Sequence, residues 1–540
     1  MLSDKIFLIR QQLNYSQEKF AEKLGISRQA VQRWENGAAV PDLDNMINIA
    51  KIFNVSLDWL NDLSDHRTTD EMRHQDGPIP SYQDMAQWEA YGADLMTDFK
   101  QALDEGRDVE SLREIVGAVC KYKEDADKEE LADTIYRIMY HAPQRQDYPY
   151  REPNDIATIR LLRPANRPCC NASLPDESVL RDKLTAAWRG RVCGCMLGLP
   201  IECIRTFELW PFLQATDNWP LHRYITSADV QHPIADTIGF PLRSRTYADM
   251  LTDGFMGDDD TNYTFMASYI IDRWGRAFTS NNVCDAWKHT QVMYAYATAE
   301  KVAYRNMIAG YYAPGCALYK NPFREWIGAQ IRGDYFGYIN PGDPETAAEM
   351  AWRDARISHV KNGIYGEMFS AAMNAAAMVT DSVEEVVLSG MAQIPSTSRL
   401  YAGLSAVLDA FREGEDWDTF LTGFLKRYNE LDPHDAVHTI PNAMLVAAAL
   451  LWGGGDFSRT VCLAVQGTFD TACNGATAGS VVGMMVGTQG IDRQWTDPIG
   501  DSVYTSVYRR RVTTDEFVSM MLRHIGLKND GGCDKRGDLS

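Results

Sequence analysis

Residues 470–480, Asp470-Thr471-Ala472-Cys473-Asn474-Gly475-Ala476-Thr477-Ala478-Gly479-Ser480, join an acidic start to a run of small side chains. A helix made of such residues lets its backbone press close against a neighbour, so this stretch calls for a tightly packed partner helix. A second acid-rich start, Asp258-Asp259-Asp260-Thr261, lies about two hundred residues upstream and also opens a long apolar helical run. Backbone N–H groups and the helix dipole tolerate carboxylates at such a start, yet three successive Asp repel one another unless a cation or a proton intervenes. Alone, either cluster reads as a helix cap with a solvated neighbour. Together they read as two halves of one cation site, and oxygen donors of this kind suit Mg2+, Mn2+ or Ca2+ rather than zinc.

A chain of 540 residues is too long for one core and is expected to divide into two or three domains. It contains no apolar run of about eighteen residues, and Met1-Leu2-Ser3-Asp4-Lys5 lacks the apolar core of a secretion signal; no membrane span and a cytoplasmic location are expected. Eleven cysteines without a repeating spacing indicate reduced thiols, with Cys169, Cys170, Cys193 and Cys195 as small buried hydrophobes. The net charge of −21 opposes broad nonspecific nucleic-acid binding, so any DNA contact must be local.

The first 65 residues predict five short helices. They are Leu2 to Leu13, a second capped by Ser16 and ended by Gly25, a third capped by Ser27 and stopped at Asn36-Gly37, then Leu43 to Phe53 and Ser56 to Leu60. The third turns Val31 and Trp34 inward and leaves Arg28, Gln29, Gln32 and Arg33 outward, as donors for base edges in a major groove; Gln17, at a helix N-terminus, is placed for a phosphate. Gln17, Ala21, Gly25-Ile26-Ser27, Val31 and Trp34-Glu35-Asn36-Gly37 resemble the phage-repressor (Cro-like, XRE) helix-turn-helix family. The resemblance implies operator DNA as a partner, with Ser27 and the four outward residues at the interface. Seven Lys or Arg against nine Asp or Glu give the segment a net charge of −2, so a homodimer is expected to supply the affinity.

Residues 66–175 read as a linker, marked by Asp76-Gly77-Pro78-Ile79-Pro80, then a helical spacer or dimerising pair (Trp88 to Leu103, Val109 to Tyr140) and an extended strap from Gln144 to Pro168. From about Asp176 to Gly526, Ala-rich, Gly-punctuated helices dominate and sustained alternation is lacking; residues 527–540 read as a flexible tail. The expected fold class is all-α, a small five-helix domain followed by a large helical bundle.

Five motifs occur in order within that bundle. Gly190-Arg191-Val192-Cys193-Gly194-Cys195-Met196-Leu197-Gly198-Leu199-Pro200-Ile201-Glu202 resembles the opening helix and loop of ADP-ribosylglycohydrolases. Asp259-Asp260-Thr261 resembles their cation motif, Gly328-Ala329-Gln330-Ile331-Arg332 their substrate loop, Ser358-His359 their Ser/Thr-His pair, and Asp470-Thr471-Ala472-Cys473 their D-x-D-T motif. The resemblance implies one or two Mg2+ ions held by Asp259, Asp260, Thr261 and Asp470 and orienting a ribose. It also implies Glu202, Asp259 and Asp260 as catalytic residues, with Gly328, Arg332 and His359 against the substrate. Arg332 either contacts phosphate or pairs with Asp334. Glycines in Asn362-Gly363-Ile364-Tyr365-Gly366-Glu367 mark a close backbone approach, with Tyr365 stacking on adenine or lining the pocket; His438 to Asn442 read as the cap of a buried helix.

The chain departs from the family pattern at Ala472, where the second Asp of D-x-D-T stands. A methyl group coordinates nothing, which leaves Asp259, Asp260 and Asp470 for one ion and Asp258 as a substitute ligand. Two functions follow. One is Mg2+-dependent hydrolysis of an N- or O-glycosidic bond in an ADP-ribosyl group or related nucleotide sugar. The other is a transcription regulator whose pocket senses ADP-ribose-like ligands while its first domain holds an operator.

Overall fold

The N-terminal helices are α1 (Leu2–Gln12) and four that open on side-chain caps, α2 (Gln17–Leu24), α3 (Arg28–Glu35), α4 (Leu43–Phe53) and α5 (Leu57–Leu60). Ser16, Ser27, Asp42 and Ser56 each accept a backbone N–H at the start of the helix that follows, satisfying a donor that the helix cannot satisfy itself. Ile6, Phe20, Val31, Trp34, Ile49 and Leu60 fill the core between them. The computed structural model describes residues 2–63, 90–165 and 174–526. Its chain separates into two units, Met1–Met85 and Ala86–Ser540. The expected linker at Asp76-Gly77-Pro78, the helix start at Trp88, Cys169, Cys170 and the tail from residue 527 lie outside the described residues.

The helical stretch read as a spacer belongs to the second unit. Its helices α6 (Leu95–Asp104) and α7 (Ala126–His141) share a small core of Leu95, Phe99, Ala132 and Ile135. The polar stripe of α6 enters the larger bundle: Asp98 and Glu105 accept from Arg324 at 2.5 and 2.6 Å, and Gln101 donates to Glu325 at 2.6 Å. In the sequence these residues are indistinguishable from a solvated face, which is why the stretch reads as a separate spacer.

The helices that carry the site are α8 (Glu177–Gly198), α9 (Asp259–Trp274), α10 (Thr298–Ile308), α11 (Pro344–Ala355), α12 (Lys361–Ala377), α13 (Arg399–Arg412), α14 (Thr439–Gly453) and α15 (Thr471–Val486). Antiparallel α8 and α15 form the seam demanded by the small-residue run. A Cβ built on Gly190 would stand 2.2 Å from the Gly479 carbonyl oxygen, one on Gly194 1.9 Å from that of Gly475, and one on Gly198 2.1 Å from that of Thr471. The backbones meet turn by turn, and the Thr471 hydroxyl donates to the Gly198 carbonyl at 2.9 Å.

Among the described residues the bundle carries one sheet, the antiparallel hairpin β1 (Ser502–Thr505) and β2 (Arg510–Thr513), paired Ser502 with Thr513 through Thr505 with Arg510. Phe255 bonds to β1 in both directions, donating to Ser502 O and accepting from Tyr504 N at 2.9 Å each. Gly254 (φ +104°) and Gly257 (φ +83°) permit that approach, since a Cβ on either would meet a β1 carbonyl oxygen at 2.2–2.3 Å. The hairpin thereby fixes the loop that delivers Asp258. Among the described residues no helix is long and apolar enough to cross a membrane, and the described cysteines are free thiols.

Candidate functional site

Three segments meet at the acid cluster: the end of the short 3-10 turn Leu199–Ile201, the start of α9 and the start of α15. Asp258 caps α9 in a reciprocal box with Thr261, whose hydroxyl accepts from Asp258 N and donates to Asp258 O, both at 3.0 Å. The Thr261 hydroxyl, a predicted metal ligand, is thus engaged in capping. Asp260 is fully buried. Arg191, also fully buried on α8, reaches it at 3.2 Å and takes Asp334 at 2.9 Å with its other terminal nitrogen. Arg191 donates further to the carbonyls of Asp260 and Ile331, while Asp260 Oδ2 has no hydrogen-bond partner.

Asp470 caps α15 by accepting from Cys473 N at 3.2 Å, and its own N–H goes to Asn442 Oδ1 at 3.1 Å. The approach to this cap is strained: Thr468 and Phe469 both sit at φ +63°, a region costly for β-branched and bulky residues. The Glu202 carboxyl lies close enough to Asp470 for each to feel the other's charge. Asp258 and Asp260 bring oxygen atoms within 4.8 Å of each other and of Cys195 Sγ, which donates to Asp258 at 3.4 Å. Asp258, the expected substitute ligand, therefore stands within reach of Asp260, whereas Ala472 is buried and presents a methyl group.

The electrostatics follow from crowding. Desolvation, then the charges of Asp260 and Glu202, push the Asp258 carboxyl up to about 7. Asp260 is held well above the usual carboxylate range by burial, against the pull of Arg191. Asp259 opens to solvent on one side, yet desolvation by the protein around it and then Asp258 hold it high as well. Glu202 is raised by desolvation, then by Asp470, Asp259 and Asp260; Asp470 is raised by desolvation. Five carboxyl groups thus lack the positive charge that would let them all ionise, and Asp260 Oδ2 lacks a partner. Burial and the neighbouring acids hold the Cys195 thiol protonated, so the ionisable donors of the cluster are carboxylate oxygens, and such a set fits a hard divalent cation.

Of the other predicted site residues, Arg332, Gly328 and His359 gather around Glu300, whereas Tyr365 lies under the strap. Arg332 pairs with Glu300 at 2.9 Å, Asp354 at 2.5 Å and Glu367 at 3.4 Å, and lies over the rings of Tyr263 and Trp287. Asp334 is engaged by Arg191, so the expected Arg332–Asp334 pair is replaced by this three-acid cradle, whose members come from α10, α11 and α12 and are far apart in sequence. Gly328 lies against Glu300, where a Cβ would meet Oε1 at 2.1 Å. His359 is buried, with Nδ1 2.8 Å from Ser358 Oγ and Nε2 4.0 Å from Glu300; burial and then Arg332 hold it well below the usual imidazole range. The Tyr365 ring is fully buried and its hydroxyl donates to Pro153 O, so it fastens the strap from beneath.

Sequence reasoning missed Arg191, Cys195, Asn442 and the three-acid cradle. Arg191 alone left a signal, a single guanidinium within an otherwise small and apolar helix face. A second group, Asp104, His434 and His438, also brings three ligand atoms within 4.8 Å. The indole N–H of Trp326 donates to His434 Nδ1 at 3.3 Å and Ile440 N to His438 Nδ1 at 3.2 Å. Both Nε2 atoms therefore carry the hydrogen, bonded to Asp104 at 2.9 Å and turned toward Glu325 at 3.6 Å, which leaves no lone pair for a metal. His438 is the cap of α14, as its sequence context suggests.

In the N-terminal unit Arg28, Gln29, Gln32 and Arg33 are exposed on α3, with Val31 and Trp34 buried behind them. Arg28 makes an exposed pair with Glu18 at 3.1 Å. Ser27 is spent on the cap of α3. Gln17 donates to Glu35 at 2.7 Å, and Glu35 also takes Arg10 at 2.5 Å, so one amide hydrogen of Gln17 serves the domain's own core.

The family model for ADP-ribosylglycohydrolase matches residues 176–524, and a helix-turn-helix model matches residues 6–60. Over 60 residues the chain is 42% identical to the uncharacterized HTH-type transcriptional regulator YqaE of Bacillus subtilis (strain 168), covering 11% of this chain and 52% of that protein. Over 58 residues it is 36% identical to the HTH-type transcriptional activator BcrR of Enterococcus faecalis, covering 11% and 28%. The chain thus spans about half or less of the length of these curated relatives. A solved structure titled ADP-ribosylglycohydrolase-related protein complex aligns with 64% of this chain and 98% of its own, at 18% identity and a TM-score of 0.40.

Proposed function

The chain belongs to the ADP-ribosylglycohydrolase family, and from that premise we propose that its acid cluster binds Mg2+ and an ADP-ribosyl group and hydrolyses the bond at the anomeric ribose carbon. The observation that carries this reading is the convergence of Glu202, Asp258, Asp259, Asp260 and Asp470 from three segments, all held above the usual carboxylate range. A divalent cation there supplies the missing positive charge and orients the ribose hydroxyls. Asp259, the unpartnered oxygen of Asp260 and Asp470 hold it, with Asp258 beside them in place of the donor absent at Ala472. Arg191 keeps Asp260 aimed. Glu202, half-buried and beside Asp470, engages the ribose and, once the cation has drawn off its proton, takes the proton of the attacking water. Titration calorimetry with Mg2+ and an assay for released ADP-ribose test this on the native chain and Ala472→Asp. One tight ion in the native chain, a second in the variant and faster release are expected; equal stoichiometry with equal activity would sink the reading.

Ala472 and the helix-turn-helix domain at residues 6–60 favour a second use of the same pocket, ligand sensing. Operator and ligand affinities are then linked reciprocally, by about 5–150-fold in each direction. A homodimer would present two α3 helices to half-sites about 34–36 Å apart. Operator titrations that superimpose at every ADP-ribose concentration, with ligand shown to be bound, rule out this use.

A further inference from the structure

Between the strap and the start of α12 lies a crevice of about 390 Å3, within the size range of small-molecule sites. A cavity of about 100 Å3 adjoins it, sharing Glu105, Arg107 and Lys361 as lining. We infer that this crevice is a binding site for a nucleoside monophosphate. It shares no residue with the acid cluster and does not depend on the function proposed for that cluster.

The two acids on the crevice wall are already committed: Glu105 to Arg324 at 2.6 Å and Lys361 at 2.8 Å, Glu152 to Arg399 at 2.9 Å and Asn362 at 2.8 Å. Two cations are not. Arg107 donates to the neutral carbonyls of Tyr140 and Ala142, at 3.2 and 2.9 Å, and Arg151, exposed, makes no ion pair among the described residues. The crevice therefore offers two guanidinium groups without a carboxylate, a pattern that suits phosphate, whose oxygens match the planar fork of Arg.

The aromatic wall supplies the second half of the ligand. Tyr148 lies flat on Gly106, where an added Cβ would stand 2.3 Å from the ring, and its hydroxyl donates to Asp104 O at 3.0 Å. Tyr148 is thus fixed. Tyr150 meets it edge-on, with centroids 5.5 Å apart, and keeps part of its ring open for a base to stack on. Lys361 adopts a left-handed backbone (φ +45°), a strained state held by the strap, since its N–H is given to Asn154 Oδ1 at 2.7 Å. A ligand between Arg151, Arg107 and Tyr150 would lock the strap against that strained start of α12.

Titration calorimetry on the full chain with adenosine 5′-monophosphate, inorganic phosphate and adenosine as separate probes tests the assignment. The nucleotide is expected to bind one per chain, at least tenfold more tightly than either fragment. Arg151→Glu, an exposed position that leaves the fold intact, should weaken it at least tenfold; Lys361→Gly, which relieves the backbone strain, should change its affinity; Asp259→Asn should leave it unchanged. The assignment is overturned if adenosine 5′-monophosphate gives no saturable binding, or if Arg151→Glu binds it as tightly as the native chain.

Discussion

Helix α3 of the first unit and the acid cluster both present charged side chains on short structural supports, but the supports have different reach. On α3 the face that carries Arg28, Gln29, Gln32 and Arg33 is set by Ser27, which caps Ala30, and by Val31 and Trp34 underneath. The cap is local, and the contacts beneath the face stay within the first sixty residues, the Arg10–Glu35 pair spanning 25. At the acid cluster, Asp260 depends on Arg191 across 69 residues, and the two helix ends at Gly198 and Thr471 meet across 273. A face built from neighbours tolerates the loss of one contact, whereas a site assembled from distant segments is as firm as its longest-range clamp. The difference locates where each unit is vulnerable.

The largest expected effect is at the seam. Gly194→Ala drives a Cβ into the Gly475 carbonyl oxygen, 1.9 Å away, and should cost more than about 4 kcal/mol, the range of severe overpacking. Differential scanning calorimetry should show the transition of the second unit lost or strongly lowered while that of residues 1–85 persists; a variant that melts like the native chain breaks the comparison. Next is Arg191→Met, which leaves Asp260 and Asp334 buried without their shared cation and should cost about 3–5 kcal/mol, read from urea unfolding.

On the other side, Arg28→Ala or Gln29→Ala should leave folding unchanged and weaken a selected operator by about 1–3 kcal/mol, measured by fluorescence anisotropy against an unrelated duplex. Selection from random fragments that recovers no preferred sequence would remove α3 from the DNA-reading role. The smallest effect belongs to Ser27→Ala, which deletes one cap and should lower the stability of the first unit by about 1 kcal/mol. Should Ser27→Ala prove as damaging as Arg191→Met, the contrast between local and long-range support would fail.

The same contrast explains what could be read before the fold was known. Ser16, Gly25, Ser27 and Asn36-Gly37 are punctuation within one or two turns of the helices they bound, so the five-helix unit was legible almost to the residue. The acid starts at Asp258 and Asp470 were legible for the same reason, as was the close packing implied by Gly475 to Ser480. The Arg191–Asp334 pair, the cradle of Glu300, Asp354 and Glu367 around Arg332, and the hairpin strand that pins Phe255 were not, because each joins residues whose local sequence gives no hint of the partner. Nor did the buried polar face of α6 announce itself. Asp98, Gln101 and Glu105 look like solvent-facing residues until Arg324 and Glu325 are found opposite them.

The α8–α15 seam also has a genetic consequence. Every single-base change in a glycine codon that alters the residue without ending the chain adds at least a Cβ atom, so Gly190, Gly194, Gly475 and Gly479 offer random mutation no mild option. Their carbonyl oxygens already occupy the space that the smallest replacement would need. Ala472, one residue beyond the contact of Gly198 with Thr471, already carries the methyl group that none of those glycines has room for, so the same helix start accepts a Cβ at one position and refuses it three residues on.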